Sequence, residues 1–324
     1  MKCDAKAGAS WHGVAAAIAS LPAARYLLAV SGGRDSMVLL DAFVRERTDA
    51  IGVATFDHGT GAAATRAVRL VHREAARRGM RVVSVRCEGG AATEEAWRTA
   101  RWRFLRRAAA EQDATVVTAH TRDDQLETVV LRALRDPRHT GPRGLAAMYA
   151  ASPIVRPLLG VSRDDVASYA LARGVRFSDD PTNRSRAYLR NRVRLDLLPA
   201  LERVQPGFGE WMLELSLRAA RWRSAVEAIV DSLVVDLPAM EAAGAVVIPA
   251  TALTVLSPPC LAVIWPAIAG RAGIALDWRG TERLVGFTTQ SKVGGEVPLS
   301  GGARVERTAS TFVLRASRGA EPLY

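Results

Sequence analysis

Tyr26-Leu27-Leu28-Ala29-Val30-Ser31-Gly32-Gly33-Arg34-Asp35-Ser36-Met37-Val38-Leu39-Leu40-Asp41-Ala42-Phe43-Val44 joins three kinds of sequence in one stretch. An apolar run reads as a buried strand. Ser31–Ser36 reads as a turn of small residues. The apolar residues from Met37 onward recur at helical spacing. A strand, a glycine turn and a helix start make an anion site, because glycine lets the backbone approach a phosphate and the free N–H groups and helix dipole favour negative charge. No Gly-Lys-Ser/Thr follows, so this is not the common P-loop with its phosphate-gripping lysine. A plainer alternative is a serine–glycine turn that only caps a helix.

The alternation continues from there. Arg25–Val30, Ile51–Phe56, Arg81–Val85 and Thr115–Ala119 read as strands. Ser36–Arg47, Thr65–Gly79, a helix capped by Thr93 and running to about Gln112, and Arg122–Leu134 read as helices. This rhythm predicts an α/β fold with a doubly wound parallel sheet. Such sheets bind ligands at the carboxyl ends of their strands. The phosphate loop ends the first strand, Asp57-His58-Gly59 the second and His120 the fourth, so three polar clusters fall where that fold places active sites.

The richest cluster is His120-Thr121-Arg122-Asp123-Asp124-Gln125-Leu126-Glu127-Thr128. His120, Asp124 and Glu127 follow i, i+4, i+7 spacing and are expected on one face of the helix start. A histidine and two carboxylates beside a phosphate loop suit binding an ammonium group and managing its proton. A solvated, dipole-favoured helix start is the simpler account of the carboxylates alone.

Composition narrows the class. The chain has 324 residues and is 49% hydrophobic, enough for a sizeable core and about two domains. Cys3, Cys87 and Cys260 are scattered, which argues against a disulfide framework or zinc site and fits a reducing cytoplasm. The net charge is +11, and lysine occurs only at Lys2, Lys6 and Lys292, so nearly all of the 44 basic residues are arginine. Such an excess points to a polyanionic partner, with nucleic acid leading. Ala15–Ala19 after two lysines mimics a signal peptide weakly, but cleavage there would cut into the nucleotide site. The uncharged stretch from Gly244 to Gly270 holds Pro249, Pro258, Pro259 and Pro266, so it reads as a buried segment rather than a membrane span.

After a helix at Ser162–Arg173 comes an arginine-rich helix ending near Leu201, and from Pro206 a long helix carries Trp211 and Trp222. A helix at Thr281–Phe287 and a hairpin of Glu296–Leu299 with Ala303–Leu314 close the chain. The expected domains are 1–205, which carries the phosphate loop, and 206–324, a smaller, mainly helical domain with a C-terminal β-hairpin. Trp97, Trp102, Trp211 and Trp222 are expected in core or interface rather than as base-stacking platforms.

Ser31–Ser36 looks like the SGGxDS loop of the PP-loop ATPases, which split ATP between the α and β phosphates and make adenylates. Further motifs sharpen the likeness: Asp57-His58-Gly59, Ala100-Arg101-Trp102-Arg103-Phe104, His120–Thr128, Gly144–Met148, Arg156-Pro157-Leu158-Leu159, Asp180-Pro181-Thr182-Asn183, and Tyr188-Leu189-Arg190-Asn191-Arg192-Val193-Arg194. In this order they resemble the tRNA(Ile)-lysidine synthetases over about residues 25 to 201, and more loosely beyond. Gly59-Thr60-Gly61 and Phe104 depart from the usual pattern, and the chain resembles the short members, which lack a separate C-terminal tRNA-binding domain.

That resemblance implies a cytoplasmic ligase. ATP would activate the C2 oxygen of the wobble cytidine in the CAU anticodon of tRNA(Ile), and the ε-amine of free L-lysine would displace AMP to give lysidine. It implies ATP contacts from Ser31, Gly32, Gly33, Arg34, Asp35, Ser36 and His58, with Mg2+ whose ligands stay unassigned. Asp35, Arg101, His120, Asp124 and Glu127 would be catalytic, with Asp124 and Glu127 holding the lysine. Tyr188, Arg190, Asn191, Arg192 and Arg194 would meet tRNA, although pairing of the arginines with Asp179 and Asp180 is an equal alternative. No membrane partner is implied, and a homodimer is a candidate assembly. The rival readings are a PP-loop tRNA thiolase, which usually needs a cysteine pair, an amide synthetase of the NAD synthetase kind, which leaves the positive charge unexplained, and an inactive arginine-rich RNA-binding module.

Overall fold

The structure, a computed structural model, describes residues 7–59, 61–87, 94–135, 142–150, 152–179, 185–234, 245–290 and 292–316. The expected N-cap Thr93 and the Asp180–Asn183 motif lie outside the described residues. The chain divides into two compact units, Met1–Arg135 with Ala147–Leu215, and Asp136–Ala146 with Ser216–Tyr324.

The first unit is built on four strands, β1 (Tyr26–Ala29), β2 (Ala50–Asp57), β3 (Val82–Arg86) and β4 (Thr115–Val117). They pair in the order β3-β2-β1-β4, all in parallel. The helices are α1 (Ala7–Ala19), α2 (Arg34–Glu46), α3 (Ala62–Ala76), α4 (Glu94–Ala110), α5 (Arg122–Arg135), α6 (Pro142–Ala146), α7 (Arg163–Ala172), α8 (Leu189–Arg192) and α9 (Leu198–Val204), and α6 belongs to the second unit. A π-helical turn, Val193–Leu197, joins α8 to α9. The doubly wound parallel sheet is therefore present, with short, buried central strands.

Apolar residues of α2 fill one face of the sheet. Met37, Val38, Leu39, Leu40 and Phe43 are all at most 2% exposed. The segment that mimics a signal peptide is α1, and its Val14 and Ile18 are wholly buried in the same core. On the other face, Leu105, Ala108 and Ala109 of α4 pack with Leu27, Ala54 and Val116. α7 begins where Ser162 caps it in a reciprocal box with Asp165.

One connection positions much of the site. Residues 154–161 run beside β4: the Thr118 N–H donates to the Val155 carbonyl at 3.0 Å, and the Val155 N–H to that of Val116 at 2.9 Å. Farther on, the Arg122 N–H donates to the Val161 carbonyl at 2.9 Å. The start of α7 is thereby brought to the start of α5.

Helix α10 (Phe208–Leu233) carries the chain into the second unit, which holds β5 (Ala245–Pro249), α11 (Ala250–Thr254), α12 (Pro258–Arg271), α13 (Trp278–Gln290), β6 (Glu296–Pro298), β7 (Arg304–Arg307) and β8 (Thr311–Arg315). The strands form an antiparallel sheet of order β5-β8-β7-β6. The expected hairpin is thus three strands: the run Ala303–Leu314 breaks where Thr308 bonds back to Thr311. The proline-rich stretch becomes β5, α11 and α12, with prolines at the first turn of α12, where a missing N–H costs nothing, and Pro266 within it. Trp265 anchors this core, wholly buried, with its ring N–H donating to Thr288 Oγ1 at 2.8 Å. Trp211 and Trp222, expected in core or interface, are 57% and 40% exposed and so are not core residues of this chain. Among the described residues no helix is long and apolar enough to cross a membrane.

Candidate active site

The carboxyl ends of β1, β2 and β4 open into a cavity of about 190 Å3. Ser31, Asp35 and Ser36 line it from the glycine loop, His58 from beyond β2, Arg101 from α4, and His120 from beyond β4. Phe56, Trp102 and Leu105 add an apolar wall.

The loop is held by its own side chains. Ser36 Oγ donates to the Gly33 carbonyl at 2.9 Å and accepts from the Ser31 N–H at 3.2 Å. Gly32 has φ +87°, and a Cβ there would lie 2.8 Å from the Ala67 carbonyl oxygen of α3. Only glycine fits so close a crossing. The Ser178 N–H fastens the same residue from the far side, donating to the Gly32 carbonyl at 2.9 Å. Asp35 opens α2 beside Arg34, whose Nε donates to its Oδ1 at 3.1 Å. Burial nevertheless raises the Asp35 carboxyl above the ordinary carboxylate range.

In and near the cavity some buried nitrogens find no hydrogen-bond partner among the described residues. Arg101 Nε is buried with no hydrogen-bond partner, as are His58 Nδ1 and Arg156 Nε. Burial lowers the Arg101 guanidinium from its usual value, and Arg98 and Arg190 push it the same way. The His58 ring meets Phe56 edge-on at 4.9 Å and Trp97 at 6.0 Å. Burial also lowers its pKa, helped by Arg101. His120 shares a 2.8 Å hydrogen bond between its Nδ1 and Thr118 Oγ1. Burial, reinforced by Arg156 and Arg101 against Asp124, brings it down to about 4, so it is neutral at physiological pH.

Asp124 and Glu127 do not line this cavity, and His120 precedes α5 rather than sharing its face with them. The two carboxylates lie in a knot with three arginines. Asp124 Oδ2 accepts from the Thr121 N–H and hydroxyl, both at 2.9 Å. Its Oδ1 accepts from Arg163 at 3.2 Å and from Arg190 at 3.0 Å. Glu127, whose side chain is 1% exposed, receives Arg163 at 3.0 Å, Arg190 at 2.7 Å, and both a 2.6 Å and a 3.0 Å bond from Arg194. Burial pushes both carboxyls up, but the guanidiniums outweigh it and hold both below their usual range.

This arrangement corrects the expected partners of the arginine-rich segment. Arg190 bonds both Asp124 and Glu127, and Arg194 bonds Glu127; of the other expected partners, Asp180 lies outside the described residues. Asn191 is buried and donates to the Ser185 carbonyl at 2.8 Å. Of the five residues expected to meet RNA, Tyr188 and Arg192 are exposed. Sequence reasoning passed over Arg163 altogether and treated Arg156 only as part of a motif. Neither has a local signal, because each acquires its neighbours through the pairing of residues 154–161 with β4. Among the described residues no group of three or more histidines, cysteines or carboxylates could hold a metal ion.

Comparison with known proteins agrees with this architecture. The PP-loop domain family matches residues 10–201. A tRNA(Ile)-lysidine synthase from a Bradyrhizobium strain is 40% identical over 220 residues, covering 63% of this chain and 60% of the relative. The chain thus spans about three fifths of that relative's length. Synthases so named from Salinispora tropica and Salinispora arenicola are 36% and 35% identical, with 88% and 93% of the relative covered. Among solved structures, a U34-tRNA thiolase from Methanococcus maripaludis aligns with TM-score 0.51 at 16% identity, over 65% of this chain and 78% of that one, a likeness of fold alone. With a glycine loop at the mouth of a parallel sheet and full-length relatives of one name, the chain belongs to the tRNA(Ile)-lysidine synthase family of PP-loop proteins.

Proposed function

We propose that this protein ligates free L-lysine to C2 of the wobble cytidine in the CAU anticodon of tRNA(Ile), consuming ATP and releasing AMP and pyrophosphate. The observation that supports this reading is the cavity itself, where a glycine loop meets buried guanidinium and imidazole nitrogens with no hydrogen-bond partner among the described residues. Orphaned buried donors cost free energy unless a ligand completes them, and a triphosphate supplies acceptors of the right charge.

In this scheme the N–H groups of Ser31–Ser36 and the Arg101 guanidinium take the charge that builds on pyrophosphate as it leaves. His58, Phe56 and Trp102 border the nucleotide. His120 is a neutral hydrogen-bonding group rather than a stored proton. Asp35 is a half-buried carboxylate at the head of α2 whose pKa burial raises despite its bond from Arg34, and it fits as one ligand of the Mg2+ that accompanies ATP. That ion would neutralise phosphate charge.

Lysine must arrive at the activated base as a free amine, since an ammonium has no lone pair. Asp124 receives the amine, being 14% exposed where Glu127 is closed off. The two carboxylates stand among three guanidiniums, so the setting is net cationic. A neighbouring positive charge disfavours an ammonium and helps the amine lose its proton. Tyr188 and Arg192 are the candidates for RNA contact. The target base must leave its stack to reach the site.

Labelled lysine tests the proposal. Label enters tRNA(Ile) with the CAU anticodon, only with ATP, and not the methionine tRNA that shares the anticodon. Sulfur incorporation would favour the thiolase, and tight tRNA binding without AMP release would favour the inactive module.

A further inference from the structure

Arg163 is held more firmly than its neighbours in the knot. Its backbone N–H donates to Asp123 Oδ2 at 2.7 Å. It is the first residue of α7, inside the Ser162–Asp165 capping box. The residue two before it, Val161, accepts from the Arg122 N–H. So the Arg163 main chain is tied to the first turn of α5 from both sides, and its guanidinium reaches one turn farther along the same helix. There one nitrogen bonds Asp124 Oδ1 and another bonds Glu127 Oε1. Among the described residues Arg194 bonds Glu127 but not Asp124, and Arg190 stands on the four-residue α8 with a side chain 37% exposed, against 19% for Arg163.

We propose that Arg163 is the positioning residue for the lysine-binding carboxylate: its fork fixes the Asp124 carboxylate against Glu127 and keeps that seat cationic. The fork geometry matters, because two carboxylates three residues apart on α5 are bridged by two nitrogens of one planar group. Its charge also reaches Asp35, which it stabilises in ionised form, so one guanidinium acts on both the nucleotide side and the amine side. Arg163 touches neither substrate in this scheme. It acts through Asp124, and the inference rests on the reading of Asp124 as the amine's seat.

The test compares steady-state lysidine formation by the whole protein carrying Arg163→Ala or Arg163→Lys, with melting temperature alongside. Losing a charged hydrogen bond to the seat raises the KM for lysine in Arg163→Ala by about ten- to a hundred-fold, with the KM for ATP moving about threefold or less. Arg163→Lys recovers part of the loss, since it restores the charge but not the fork. A lysine KM unchanged in Arg163→Ala overturns the proposal. So does a parallel rise in both KM values with no recovery in Arg163→Lys, which marks a merely structural arginine. Asp124→Asn separates the two layers: a normal lysine KM there removes the amine seat itself, whatever Arg163 does.

Discussion

Two of the buried charge clusters in the first unit differ in one respect. In the knot on α5 every carboxylate is met by guanidinium, and both acids are held well ionised. In the cavity Arg101 and His58, and near it Arg156, each bury a nitrogen that finds no hydrogen-bond partner among the described residues. A closed cluster of this kind keeps geometry, whereas an open one awaits an anion. Under the proposed function, the phosphates of ATP go to the cavity and the amine to the edge of the knot.

The largest expected effect falls on turnover. Asp35→Ala and Asp124→Ala lower kcat/KM by at least about a thousandfold, roughly 4 kcal/mol of transition-state stabilisation, while circular dichroism shows a folded protein. Near-normal turnover in either variant would break the assignment of roles. The next effect separates the clusters by stability. Glu127→Gln leaves Arg194 without its carboxylate, takes one of two carboxylate partners from Arg163 and Arg190, and costs about 3–5 kcal/mol in denaturant unfolding. Arg101→Gln strands nothing, leaves stability within about 1 kcal/mol of the parent, and weakens ATP binding about ten- to a hundred-fold. Equal stability losses would erase the distinction between closed and open.

A third prediction concerns pH. The unfolded chain protonates His120 below its ordinary value of about 6.5, while the folded protein resists until about 4. The unfolded state then binds more protons, so stability falls as pH drops through that window, by on the order of 3 kcal/mol. His58, also lowered by burial, adds in the same direction. Asp124 and Glu127, whose pKa values are lowered, lose their contribution only at more acid pH, below their unfolded values of 3.8 and 4.5. His120→Asn therefore flattens the unfolding profile between pH 6.5 and 4, and an unchanged slope would show that this ring is not held neutral. The smallest effect belongs to the exposed surface. Arg192→Ala reduces tRNA affinity a few-fold and lowers the salt slope of binding by about one, if Arg192 meets a phosphate. An unaltered slope removes it from the interface.

Much of the open cluster was legible in the sequence because its signals are local. Strand, glycine turn and helix start follow one another in Tyr26–Val44, and His58 and His120 directly follow or nearly follow their strands. The closed cluster was only half legible. The acids of α5 stand out by spacing, but their partners are some 36 to 67 residues away in the chain, and no periodicity announces such pairs. The exposure of Trp211 and Trp222 and the break at Thr308 escaped for a related reason: composition gives residue preference, not which face finds a neighbour. The cavity's tight crossing at Gly32 needed α3 in place before its meaning could be seen.

The central claim is that ATP bound in the cavity activates an RNA base before lysine arrives at the knot. ATP labelled in its α-phosphate tests this most directly, incubated with the protein and tRNA(Ile) without lysine. The account predicts label on the tRNA that is released as AMP when lysine is added. No label on the tRNA, or release at the same rate without lysine, would contradict it.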